Sequence, residues 1–207
     1  MADYKKPDYW QQKARKEGYP ARSVYKLKEI DEKFGFFKTL SGSKGVKRVL
    51  DIGAAPGSWS LYTLRTFKKG FLAAVDLSPL SREFDRGLFD NDNFFFIQGD
   101  VTAADVRETL LLKGPYSIII SDAAPSTTGN NMVDSARSLN LAEIVIDFAE
   151  EALESGGSLA VKVFQGGGID VVLKRLKTIF KTAKSYKPEA CRGESVETYF
   201  IGLGKKG

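Results

Sequence analysis

Residues 49–60 read VLDIGAAPGSWS, an apolar run that breaks at a glycine–proline turn and continues into residues fit to open a helix. A buried strand that runs through a turn into a helix is the local unit of an α/β sheet, where ligands bind beyond the strand C-termini. Gly53 and Gly57 let the backbone turn tightly and come close to a ligand, and Pro56 fixes φ ahead of the helix. The spacing is not that of a dinucleotide loop, because Gly53 is followed by Ala54, Ala55 and Pro56. No Gly-Lys-Ser/Thr follows either, so the turn is poorly suited to a pyrophosphate.

Outward from this turn, further apolar runs alternate with helical segments. Strands are predicted at Arg48–Ile52, Phe71–Asp76, Phe94–Gln98, Tyr116–Ser121, Ser158–Phe164 and Glu197–Leu203. Helices are predicted near 58–67, 103–112, 135–154 and 168–180. In the clearest of them Leu139, Ala142, Ile146, Ala149 and Leu153 share a face, and Gly156-Gly157 stops the helix. Strands that are apolar throughout belong to a sheet covered on both faces. Alternation with helices predicts a doubly wound, mostly parallel α/β sheet with helices on both faces. Residues 8–35 read as two further helices, with Pro20 opening the second. With no repeat or linker, 1–207 reads as one domain, a basic helical extension (1–35) ahead of a catalytic core (46–207).

Composition narrows the chemistry. The chain has no histidine and a single cysteine, Cys191, which removes intramolecular disulfides, His-based triads and the usual zinc sites. No metal site is expected. No apolar run approaches the roughly 18–20 residues that span a bilayer, and the polar N-terminus lacks the apolar centre of a signal peptide, so a cytoplasmic protein without membrane contact is expected. Residues 1–28 carry eight Lys/Arg against three Asp/Glu, and residues 174–207 nine against three. The middle holds fourteen against twenty. Two basic ends around an acidic centre fit a polyanion-binding surface, although solvated surface helices would look the same.

Three strand ends carry the cofactor reading. Asp76 stands about twenty residues past the loop, where such folds bind ribose hydroxyls, and Asp100 closes FFFIQGD, placed to accept a bond from an adenine amino group. A ligand with adenine and ribose but no phosphate fits the set, and S-adenosylmethionine is the candidate. Each aspartate taken singly is equally readable as a helix cap. Lys162 lies within SLAVKVF. Lysine is rarely buried without a partner, and burial favours a neutral amine able to act as a base; the plainer reading is a lysine snorkelling from an edge strand. Asp122 follows YSIIIS and Glu197 opens ETYFIGL, both placed to orient that amine.

At this point the chain resembles the FtsJ/RrmJ family of RNA ribose 2′-O-methyltransferases along nearly its whole length. The matching stretches are ARSVYKLKEIDEKF, LDIGAAPGSWS, VDLSPL, QGDVT, SDAAPSTTG, VKVFQGGG and ETYFIG. The resemblance implies a Rossmann-like methyltransferase fold and a catalytic Lys–Asp–Lys–Glu tetrad at Lys26, Asp122, Lys162 and Glu197, with Lys162 as proton acceptor. It implies cofactor contacts at Gly53, Pro56, Gly57, Ser58, Trp59, Asp76, Leu77, Asp100, Val101 and Asp122. Ser58 stands where bacterial ribosomal members often have glycine. The implied substrate is a uridine 2′-hydroxyl of large-subunit ribosomal RNA, naked or in the assembled subunit, acted on by a monomer, with transfer RNA as the alternative.

Three other classes compete. An NAD-linked oxidoreductase shares the fold but needs the missing pyrophosphate loop. A base-C5 methyltransferase needs a cysteine nucleophile, and Cys191 lacks the expected preceding proline. A non-catalytic RNA-binding protein would need no buried Lys162.

Overall fold

In a computed structural model that describes residues 9–40, 45–191 and 195–207, the apolar runs become β1 (Arg48–Ile52), β2 (Phe71–Asp76), β3 (Phe94–Gln98), β4 (Tyr116–Ser121), β5 (Leu153–Phe164), β6 (Phe180–Tyr186) and β7 (Glu197–Lys205). The helices are α1 (Tyr9–Lys16), α2 (Val24–Phe34), α3 (Ser58–Thr66), α4 (Ala104–Leu112), α5 (Asn131–Ala152) and α6 (Ile169–Ile179). The strands form one sheet in the order β3-β2-β1-β4-β5-β7-β6. Strands β1 to β5 pair in parallel, and β7 runs antiparallel to both β5 and β6. The expected mostly parallel sheet with helices on both faces is what forms.

Side chains alternate across a strand, and here both sets are buried. Val49, Ile118, Ile120, Ala160, Tyr199 and Ile201 pack on one face with residues of α1, α2 and α3. Leu50, Ile52, Ile119, Val161, Val163 and Phe200 pack on the other with α4, α5 and α6. Three consecutive isoleucines in β4 are thus buried to 0–1 % exposure, each stabilising the fold by about 1.5–3 kcal/mol relative to an exposed side chain.

Four local expectations need correction. Helix α5 starts at Asn131, where the Asn130 side chain accepts from the Met132 and Val133 amides. It ends at Ala152, so Leu153 opens β5 rather than extending a helix face. Between Leu153 and Ser158 the β4–β5 register shifts and Gly156 takes φ +84°, so the Gly pair serves an irregularity in the strand and not a helix stop. Pro20 lies in the turn ahead of α2, which begins at Val24. Strand β6 escaped notice because only Phe180 and Ala183 of FKTAKSY are buried. It is the outer strand of the sheet, and exposed lysines at Lys181 and Lys184 are the usual protection of such an edge. Tyr4 and the first lysines of the basic N-terminal segment lie outside the described residues.

Candidate active site

The strand order reverses between β1 and β4, the place where an open α/β sheet leaves a crevice. A cleft of about 290 Å³ opens there, lined by Gly53, Asp76, Leu77, Asp100, Val101, Asp122 and neighbouring small and aliphatic residues. Gly53 takes φ +78°, and a Cβ on it would stand 2.6 Å from the Cα of Ala123, so the turn after β1 admits no other residue without moving. Its amide and that of Ala54 donate to the Val75 carbonyl. Asp76 steadies the same loop, accepting from the Ala55 amide (2.9 Å) and the Ser78 amide (2.8 Å). Asp100 stands two residues past the end of β3 and accepts from the Thr102 amide and hydroxyl, both at 2.8 Å. These bonds hold its carboxyl below the usual aspartate value.

The cleft lining carries three carboxylates and no basic side chain. That charge repels a polyphosphate and suits a ligand with an uncharged nucleoside end and a cationic centre. The residues present therefore fit S-adenosylmethionine and not NAD.

The remaining residues expected at the cofactor are placed differently. Pro56 and Gly57 shape the turn into α3 without lining the cleft. The Ser58 hydroxyl accepts from the Ala21 amide at 2.8 Å and donates to the Ala21 carbonyl at 3.1 Å. The Trp59 ring is 2 % exposed, donates through Nε1 to the Ser23 carbonyl at 2.8 Å and packs 5.9 Å from the Tyr199 ring. Both side chains tie the turn ahead of α2 to α3 instead of lining the cleft.

Lys26, Asp122, Lys162 and Glu197 come together at one end of the cleft, on the α2–α3 side of the sheet. Lys162 is 7 % exposed on β5, an interior strand, so it does not snorkel from an edge. Its Nζ donates to the Asp122 carbonyl at 2.5 Å and lies 3.1 Å from Asp122 Oδ1. Lys26 Nζ lies 2.7 Å from Glu197 Oε2 and 3.8 Å from Asp122 Oδ1. Burial works against the charge on Lys26, but Asp122 and Glu197 outweigh it and hold the amine above the usual lysine value. Burial likewise works against ionised Asp122, and here Lys162, Lys26 and the Tyr199 bond prevail and lower it.

Tyr199 is the member that sequence reasoning missed. It is fully buried, pairs with Lys162 across the β5–β7 ladder, and donates to Asp122 Oδ1 at 2.6 Å. The available signal was its place two residues after Glu197, hence on the same strand face.

Asp51 is a second buried carboxylate that no local pattern marks. It is fully buried on β1, with Oδ2 accepting from Ser60 at 2.7 Å and Oδ1 without a hydrogen-bond partner. Burial pushes its carboxyl up to about 7, opposed by the Ser60 bond and reinforced by Asp122 and Asp76. A carboxyl that keeps its proton in the native state but loses it when unfolded makes stability fall as pH rises between about 4 and 7. Asp51→Asn should therefore melt several degrees higher than the parent at pH 8, with the gain shrinking steadily as pH falls toward 4. A melting difference independent of pH would refute this.

The FtsJ-like methyltransferase profile matches residues 19–205. A protein of Treponema denticola named ribosomal RNA large subunit methyltransferase E is 49% identical over 99% of this chain and 98% of its own length. The protein of the same name from Borreliella afzelii is 48% identical, covering 94% of this chain and 96% of the relative. Among solved structures, a Plasmodium falciparum protein described as a ribosomal RNA methyltransferase superposes with a TM-score of 0.72 at 28% identity, over 91% of this chain and all of that one. A fibrillarin in complex with Nop5p shares the fold at a TM-score of 0.55 and 18% identity, over 81% of this chain and 79% of that one.

Proposed function

Because this chain belongs to the FtsJ-like methyltransferase family, we propose that it transfers a methyl group from S-adenosylmethionine to a uridine 2′-hydroxyl of large-subunit ribosomal RNA. The observation that carries this is the pairing of a phosphate-averse, carboxylate-lined cleft with a buried Lys–Asp–Lys–Glu cluster at its end. The relatives from Treponema denticola and Borreliella afzelii are named for large-subunit ribosomal RNA, so the transfer-RNA reading is not favoured.

When bound, the cofactor supplies a methyl group already activated on a sulfonium. The chain's task is to orient the acceptor and remove its proton. Asp76 and Asp100 are placed for ribose and adenine, each keeping acceptor capacity beyond its backbone bonds. Lys162 Nζ, in its neutral amine form, takes the 2′-hydroxyl proton and becomes the ammonium that pairs with Asp122. Asp122 fixes that nitrogen through both its carbonyl and its carboxylate, and Tyr199 fixes the carboxylate. Lys26, paired with Glu197, sets a positive charge beside the acceptor ribose and positions the nucleotide. Holding reactants in line contributes several kcal/mol to such a transfer.

The decisive experiment offers methyl-labelled S-adenosylmethionine to large ribosomal subunits, naked ribosomal RNA and transfer RNA, and maps the methylated ribose. Label on transfer RNA alone, or on a base, would overturn the assignment.

The enzyme acts as a single-domain cytoplasmic monomer in this reading, its 1–35 segment gripping RNA phosphates ahead of the 46–207 core. Among the described residues no helix is long and apolar enough to cross a membrane. Lys13, Arg15 and Lys16 line the last turn of α1. Arg22 serves differently, since its Nη2 donates to the Ala190 carbonyl at 2.7 Å. Charge reversal at Lys13 and Lys16 should weaken RNA binding and reduce the log–log salt slope by about one per lost phosphate contact. An unchanged slope would remove α1 from the RNA footprint.

A further inference from the structure

Three of the four clustered residues are held by the sheet. Asp122 follows β4, while Lys162 on β5 and Glu197 on β7 lie in strands joined by a continuous antiparallel ladder. Lys26 alone comes from a helix outside the sheet, and its reach depends on what fixes α2 against β7.

Helical periodicity puts Lys26, Glu29 and Lys33 on one stripe of α2, with Arg22 in the turn ahead of it, and all four meet the chain between Tyr186 and Glu197. The two oxygens of Glu29 accept from consecutive amides, Oε2 from Glu189 at 2.6 Å and Oε1 from Ala190 at 2.8 Å. Arg22 takes the Ala190 carbonyl at 2.7 Å, so α2 and the turn ahead of it satisfy both backbone groups of a residue that is 1 % exposed. Lys33 stands 4.2 Å from the ring centroid of Tyr186, at the end of β6. Between these contacts, one turn before Glu29, lies the 2.7 Å Lys26–Glu197 pair.

We propose that Glu29 is a positioning residue for Lys26: its carboxylate clasps the Glu189–Ala190 turn and so sets the reach of the Lys26 amine to Glu197 and Asp122. A carboxylate suits this place because its two oxygens serve two adjacent amides at once and hold both the separation and the rotation of α2 over the hairpin. The proposal rests on the reading of Lys26 as part of the methyl-transfer site.

Glu29→Ala should lower kcat on large-subunit ribosomal RNA between about 10- and 100-fold, the cost of a small misplacement at a reacting centre. Affinity for S-adenosylmethionine should hardly change, because Glu29 does not line the cleft. Glu29→Gln, whose one carbonyl oxygen replaces one of two acceptors, should recover part of the loss and serves in place of the alanine variant if that does not fold. A second readout needs no turnover: the ¹⁵Nζ ammonium resonance of Lys26, assigned by its absence in Lys26→Ala, should shift and exchange faster with water in both Glu29 variants. Wild-type kcat or an unchanged Lys26 resonance, alongside a lowered melting temperature, would reduce Glu29 to an ordinary structural tie. Failure of the parent enzyme to methylate this RNA would instead count against the functional reading, with the resonance still judging the clasp.

Discussion

Lys162→Ala lowers the rate of methyl transfer by about 10²–10⁴-fold, the usual worth of a positioned general base, and leaves S-adenosylmethionine affinity nearly intact. The split follows from geometry. Lys162 does not line the cofactor cleft, but its nitrogen is fixed by two oxygens of Asp122. Among the described residues no other hydrogen bond to that nitrogen is found, which leaves it a direction in which to meet the acceptor hydroxyl. Equilibrium binding of cofactor and single-turnover transfer, measured on one variant, separate the two effects. Near-normal transfer would sink the assignment of Lys162 as proton acceptor. Equal losses in affinity and rate would mean that Lys162 supports the cleft rather than the chemistry.

The second large effect is expected at Asp122, and it reaches both stability and rate. Its carboxylate serves Lys162, Lys26 and Tyr199 together. Asp122→Ala strips a shared counter-charge from two lysines that are 7–8 % exposed. Removing one partner of a buried ion pair costs about 3–5 kcal/mol, which in a chain of this size corresponds to a melting temperature lower by roughly 6–20 °C. The pH dependence has a definite sign. The native carboxyl lies below its ordinary value, so its contribution is complete above about pH 4 and is lost as pH falls through the lowered native value. The stability gap between parent and Asp122→Ala should therefore be full at pH 7 and narrow below about pH 4. Asp122→Asn keeps an acceptor for Tyr199 and should lose less stability than the alanine variant while still losing rate. A gap that stays constant into acid would show that Asp122 acts through packing alone.

The two variants also bear on each other. Because Lys162 and Asp122 touch, their effects on rate should combine less than additively in the double variant. Asp51→Asn, in contrast, should change stability with pH through a different group, in the opposite direction: Asp51 weakens the fold as pH rises, and Asp122 strengthens it. Melting curves from pH 3 to pH 8 on the three single variants therefore distinguish a buried acid without a full set of partners from one that has them.

Much of this protein is written in local patterns. Strands β1 to β4 were legible to the residue because each is an apolar run ended by a turn signal, and a doubly covered sheet demands such runs. The turn at Gly53 announced a ligand site through its spacing alone, and the absence of histidine excluded whole classes of catalyst. Lys162 stood out because a lysine inside an apolar strand conflicts with burial unless something answers its charge. Only resemblance to a family singled out Lys26, which is one basic residue among 31 in the chain.

What the chain could not announce depends on contacts between distant segments. Nothing local to ARSVYKLKEI shows that its lysine meets a glutamate 171 residues away, or that Ser58 and Trp59 turn from the cleft to grip Ala21 and Ser23. Strand β6 is equally silent, because this edge strand buries only Phe180 and Ala183 and its lysines read as loop. The residue types of the site and the order of strands that carry them are properties of the sequence, since backbone pattern and burial act within a few residues. Which carboxylate answers which amine was decided by the tertiary structure alone, because the electrostatic balance at Lys26, Asp122 and Asp51 is set by neighbours that only the folded sheet brings within 4 Å or fails to supply.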